Sequence, residues 1–209
     1  MAVLNYRDLT DNLAPSEQEF GLVHNTKIFT SNLTGASQTI ELPGARWMTR
    51  MTYDNLTYEE SNKLKNFLVK LRGSSGRFYL HDYSNPLGSG GASGASVTAA
   101  VDSRTIDCTG IIGTPVAGDY LHVRGAGDDR ELKVITGWSG SLPNLRLSIE
   151  PQLRRFNDPG DFYAGKLVDM SYPVGVFMLI DDNQTRWNAS TKARLTSFEF
   201  EAVEVFGNA

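Results

Sequence analysis
The chain has 209 residues, a net charge of −4, 40% hydrophobic and 21% charged residues. That supports one β domain of moderate size, or a domain with a small inserted module, and it is too apolar for a disordered tail. The acidic balance argues against nucleic-acid affinity as the main task, which rests on basic patches that neutralise phosphates, and the lone Cys108 excludes an intramolecular disulfide.

Residues 1–20 are polar, contain Pro15 and have few apolar anchors, so they are expected to form an arm or loop. They lack the basic and apolar regions of a signal peptide, and no apolar run reaches the roughly 18 residues of a membrane span. The expectation is a soluble protein made in a cytoplasm, with no membrane insertion. From Ser37, Gln38, Ile40 and Leu42 alternate with Thr39 and Glu41, and Pro43-Gly44 makes a turn. A second period-2 strand puts Trp47, Thr49, Met51 and Tyr53 on one face and Met48, Arg50 and Thr52 on the other.

A helix is predicted over about 57–72. Thr57 and Glu60 fit a capping box, and Leu64, Phe67, Leu68 and Leu71 form one apolar stripe at i, i+3, i+4, i+7. Lys63, Lys65, Asn66 and Lys70 take the wet side. Gly73 suits a left-handed helix end, after which Phe78 and Leu80 alternate with Arg77, Tyr79 and His81. Residues 85–100 are rich in Gly, Ser and Ala and read as a linker or mobile loop. Five short strand patterns follow up to about residue 153, separated by Pro115, Gly118-Asp119, Gly125 to Asp129 and Pro143-Asn144; their spacing suits a small antiparallel barrel. Turn residues at 157–161 close this segment. In the last strand Phe198 and Phe200 oppose Glu199 and Glu201, and the alternation slips at Ala202-Val203, as at a bulge. The reading is a mainly β protein: a split β-barrel or sandwich of residues 1–84 plus 154–209 with one packed helix, interrupted by a small antiparallel barrel at 85–153.

Signs of chemistry are weak. His24, His81 and His122 have no ligand spacing, and Cys108 has no accompanying nucleophile motif. The glycines after residue 88 lack the Lys-Ser/Thr ending of a phosphate loop. Asp128-Asp129 and Asp181-Asp182 fit turns rather than a calcium loop. Trp47, Trp138 and Trp187 could form a sugar platform, although core packing is at least as good a reading. No catalytic, cofactor or metal residues are assigned, and no enzyme is expected.

Residues 29–82 resemble the N-terminal part of the distal tail proteins of long-tailed, siphovirus-like bacteriophages and prophages. The resemblance rests on Gly35, Gln38, Thr39, Pro43, Gly44, Arg46 and Trp47, then Leu71, Gly73, Gly76 and Phe78. Residues 115–125, 149–155 and the closing strands are similar to that group's inserted module and returning strands. The resemblance implies a virion structural protein of the tail tip or baseplate. It implies a homohexameric ring joining the tail tube protein to the tip hub, with DNA passing only in transit. It also implies a split barrel with one helix and an inserted oligonucleotide/oligosaccharide-binding-like module. On that reading Trp47, Leu64, Phe67, Leu68, Leu71 and Phe78 are the structural core. Glu199, Glu201 and Glu204 are candidates to line the channel, where basic groups would hold phosphates. The alternatives are another tail-tube or terminator component, or a carbohydrate-binding β protein aiding host adsorption.

Overall fold
The computed structural model describes residues 3–85, 93–125, 127–155, 162–190 and 195–205. The polar opening is not an arm. Leu4–Asn5 (β1) pairs in parallel with a later strand, Tyr6–Thr10 (α1) forms a short helix, and Glu17–Val23 (β2) joins the main sheet. The reason is Tyr6, which is buried, meets the Tyr53 hydroxyl at 2.6 Å and sets its ring edge-on to Phe67 at 5.0 Å. One aromatic anchor in a polar stretch leaves no periodic trace in the sequence.

Thr26–Thr30 (β3) and Ser37–Glu41 (β4) pair only with each other, as a two-stranded ribbon whose residues are exposed on both faces. Arg46–Leu56 (β5) follows and buries Trp47, Thr49, Met51 and Tyr53. The helix is Tyr58–Leu71 (α2), and its capping box is formed: the Glu60 amide donates to Thr57 Oγ1 at 3.5 Å and the Thr57 amide to Glu60 Oε2 at 2.9 Å. Leu64, Phe67, Leu68 and Leu71 are buried. Each such side chain contributes about 1.5–3 kcal/mol on leaving water.

The left-handed helix end begins at Arg72 (φ 53°), one residue before Gly73 (φ 69°). Gly73 leaves room for Asp182, whose Oδ1 would lie 2.3 Å from an added Cβ and accepts from the Ser74 amide at 2.9 Å. Gly76 is there for contact: a Cβ would sit 2.4 Å from the Leu71 carbonyl oxygen. Phe78–Leu80 (β6) then enters the sheet with Phe78 and Leu80 buried.

The next strands are Ser93–Asp102 (β7), Thr105–Thr109 (β8), Tyr120–Arg124 (β9), Arg130–Ser141 (β10), Asn144–Glu150 (β11) and Leu167–Asp169 (β12), which close into a barrel in the order β10-β11-β8-β7-β12-β9. Two expectations change here. The stretch from Ser93 onward is strand rather than linker, because Ala95 and Val97 turn into the barrel core. The barrel also extends past residue 153, because β12 pairs antiparallel with both β7 and β9 and so closes it. Residues 86–92 of the expected linker and the turn at 157–161 lie outside the described residues.

Gly175–Leu179 (β13), Trp187–Ser190 (β14) and Leu195–Glu204 (β15) complete the main sheet, ordered β1-β6-β13-β15-β5-β2 with β14 beside β15. The irregularity in the last strand falls between Thr196 and Phe198, not at Ala202-Val203. Ala202, Val203 and Glu204 are all buried because this end of the strand is covered on both sides.

Candidate functional site
The sheet and the barrel meet at one seam. Trp47 Nε1 donates to the Leu132 carbonyl across it at 2.9 Å, and the indole stacks on Phe20 and meets Tyr120 edge-on. Glu204 lies beneath. Its Oε1 accepts from the Leu132 amide at 3.3 Å and from Arg154 Nη2 at 3.2 Å; its Oε2 accepts from the Trp47 amide at 3.4 Å. Glu204 therefore lines no channel: it is an interior group whose carboxylate is held by backbone donors and a guanidinium. The expectation that it faces solvent rests on a slip of the alternation at Ala202-Val203; with no slip there, Glu204 stays in phase with the buried Phe198, Phe200 and Ala202. Burial pushes its carboxyl above the usual range, against the pull of Arg154 and Lys133.

The seam continues as a buried ionic network. Lys133 Nζ sits 3.0 Å from Glu131 Oε2, and both side chains are 1% exposed. Tyr163 donates to Glu131 Oε1 at 2.6 Å, and Arg154 reaches Glu131 at 3.5 Å and Asp129 at 3.6 Å. Burial pushes Glu131 up, but Lys133, Arg154 and Tyr163 bring it below the ordinary carboxylate range. Buried charges tolerate this only when paired and hydrogen-bonded. Glu131 and Lys133 stand two apart on β10, but Arg154 and Tyr163 come from the segment after β11, so no single spacing in the sequence marks the network.

Glu199 and Glu201 face outward from β15, opposite the buried Phe198 and Phe200. Arg50 lies between them, 2.7 Å from Glu201 and 3.5 Å from Glu199. The face they share with Glu17 and Glu19 sets four carboxylates around Arg50, whose cross-strand partners are Glu19 and Glu201. A shallow groove of about 380 Å³ runs beside this cluster, lined by Glu19, Gly21, Val23, Met48, Arg50, Ile180 and Glu201 among others. Glu199 lies outside it.

The remaining candidates have bland surroundings. Trp47, Leu64, Phe67, Leu68, Leu71 and Phe78 share one core cluster. His81 and His122 flank one segment: Tyr172 Oη lies 2.9 Å from His81 Nδ1, and the Val174 amide donates to His122 Nδ1 at 3.2 Å. Burial lowers both imidazoles to about 4. Cys108 is buried in the barrel and its thiol is pushed up to about 12. The three tryptophans do not share a platform: Trp47 is buried, Trp138 sits on the barrel and Trp187 on the sheet-edge strand β14, under Lys65. Asp181 and Asp182 accept from turn amides, those of Asn183 and Ser74. Among the described residues no group of three His, Cys, Asp or Glu side chains could hold a metal, and no helix is long and apolar enough to cross a membrane.

The least satisfied surface is the ribbon of β3 and β4. Ile28 is 67% exposed, Phe29 54% and Ile40 44%, with Leu33 at its tip. No family model matches the chain, and no curated protein matches it.

Proposed function
We propose that the chain is a structural virion protein of a phage tail tip, one subunit of a homohexameric ring between the tail tube protein and the tip hub, with a central passage for DNA. What supports the reading is that the residues carrying the resemblance do structural work at defined points. Trp47 ties the sheet to the barrel. Gly73 and Gly76 permit the tight exit from α2. Gly35, Gln38 and Thr39 belong to a ribbon that is exposed on both faces among the described residues. That last observation carries most weight, because a two-stranded ribbon is marginally stable by itself in water. The reading gives the chain no reaction to catalyse. A channel role is kept for Glu199, and Glu204 has none.

Negative-stain imaging of the purified full chain, with and without a tail tube protein, tests the proposal. Rings with a central hole support it; particles that stay monomeric with the tube protein count against it. A second reading, sugar binding, has one observation in its favour: Trp138 is exposed on the barrel near a groove lined by Thr98, Asp107, Ser139, Asn144 and Arg146. Glycan binding abolished by Trp138→Ala would favour it.

A further inference from the structure
We infer that the β3–β4 ribbon of one copy docks in the β2–β5 groove of a second copy of this chain, through its Lys27–Phe29–Gln38–Ile40 face. The inference deepens the ring reading above and names the surfaces that would join its subunits.

The ribbon's two faces differ. The pairing of Lys27 with Ile40 and of Phe29 with Gln38 puts these four side chains on one side. Glu41 is on the other, where it pairs with Arg104 of the barrel and anchors the ribbon's base. The Phe29 face is thus turned away from its own barrel, and Lys27 has no ion-pair partner among the described residues. Both long edges of the ribbon are unpaired among the described residues.

The groove offers the complement. Its floor is apolar, with Val23, Met48 and Ile180, and Gly21 opens its middle: an added Cβ there would meet nothing within 4 Å. Of its charged lining residues, Glu19 and Glu201 face a single Arg50, one negative charge in excess, and Lys27 would supply the missing positive charge. The outer edge of β2 is also unpaired, so backbone groups are available beside the groove. Size agrees, since five-residue strands span about 17 Å and β2 about 23 Å.

The occupant cannot be the chain's own ribbon. Only His24 and Asn25 join β2 to β3, a reach of about 7 Å. That joint is tied down by Asn25, which donates to the Pro43 carbonyl at 2.8 Å and accepts from the Leu42 amide at 2.7 Å. With its base held to Arg104 through Glu41, the ribbon is seated on its own barrel, and none of its residues lines its own groove. Ribbon and groove are different patches of one molecule, so the contact is head to tail. Docking would cover Glu201 and leave Glu199 open.

Two full-length variants test this, Phe29→Cys and Gly21→Cys, mixed at about 1 mM under mild oxidation so that even millimolar affinity registers. The buried native Cys108 is a poor competitor. We expect disulfide-linked heterodimers about tenfold in excess of either homodimer, lost in Lys27→Glu and restored when Lys27→Glu is combined with Glu19→Lys in the opposite chain. Circular dichroism of each variant checks that it is folded. No heterodimer, a statistical mixture of dimers, or failure of the charge swap to restore cross-linking overturns the inference. If the cross-link forms but the linked particles are open filaments, the inference stands and the ring reading fails. A closed ring joined through other surfaces does the reverse.

Discussion
Trp47 of the sheet and Leu132 of the barrel are joined by an indole-to-carbonyl hydrogen bond of 2.9 Å, buried between the two bodies. Trp47→Phe keeps much of the packing but orphans that carbonyl. It should cost about 1–3 kcal/mol, read as a lower urea midpoint, whereas Trp47→Ala should cost about 3–5 kcal/mol. A Trp47→Phe variant as stable as the parent would mean that the hydrogen bond contributes nothing.

The stripe of α2 is tested on its own surface. Phe67→Ala should cost about 3–5 kcal/mol. Lys65→Ala should cost at most about 0.5–1 kcal/mol, since the ammonium lies 5.0 Å from the exposed Trp187 ring, and Lys70→Ala should leave the melting temperature unchanged.

Gly76→Ala forces a methyl group against the Leu71 carbonyl, 2.4 Å away. Backbone on one side and the exit turn on the other leave little room to relax, so the loss should reach or exceed the overpacking range of about 1–3 kcal/mol. A melting temperature equal to that of the parent would show that the turn gives way easily.

The Glu131–Lys133 pair should behave as a unit. Lys133→Met alone leaves Glu131 buried with one cation fewer and should cost about 3–5 kcal/mol. Adding Glu131→Gln should recover part of that loss. A strictly additive double-mutant cycle would refute the coupling.

Acid sensitivity follows from the two buried imidazoles. In the unfolded chain they titrate near 6.5 and in the folded one near 4. Between these values the unfolded state binds more protons, so stability falls as pH drops from about 6.5 to about 4. Glu204 and Asp129, raised by burial, oppose the trend by favouring the folded state as they protonate. Urea midpoints measured across this window should fall less steeply in the double variant His81→Gln/His122→Gln. An unchanged slope would assign the acid response to other groups.

Local regularity was legible; long-range covering was not. Thr57, Glu60 and the Leu64–Leu71 stripe announce α2 because capping and periodicity are local. The alternation at Trp47–Tyr53 and the turn-bounded runs of the barrel are readable for the same reason. The three residues of β12 are too few to show a period. Glu204 looks solvent-facing only if the strand slips at Ala202-Val203, and the unbroken pairing there keeps it in phase with Phe198 and Phe200. Gln38 to Glu41 alternate like a half-buried strand, yet among the described residues neither face is covered. The residues of the Glu131–Arg154 network meet only after folding and carry no motif.

The order of strands has a consequence for synthesis on the ribosome. In the main sheet β15 lies between β13 and β5, so a strand near residue 200 separates strands from the first and later parts of the chain. Every barrel strand has been made by residue 169. The barrel can therefore close while its flanks are still incomplete, and β5 with α2 must wait, apolar face uncovered, for more than a hundred residues. Sequence separation of this kind slows folding and prolongs exposure. During that interval the nascent chain is most open to chaperones and to aggregation.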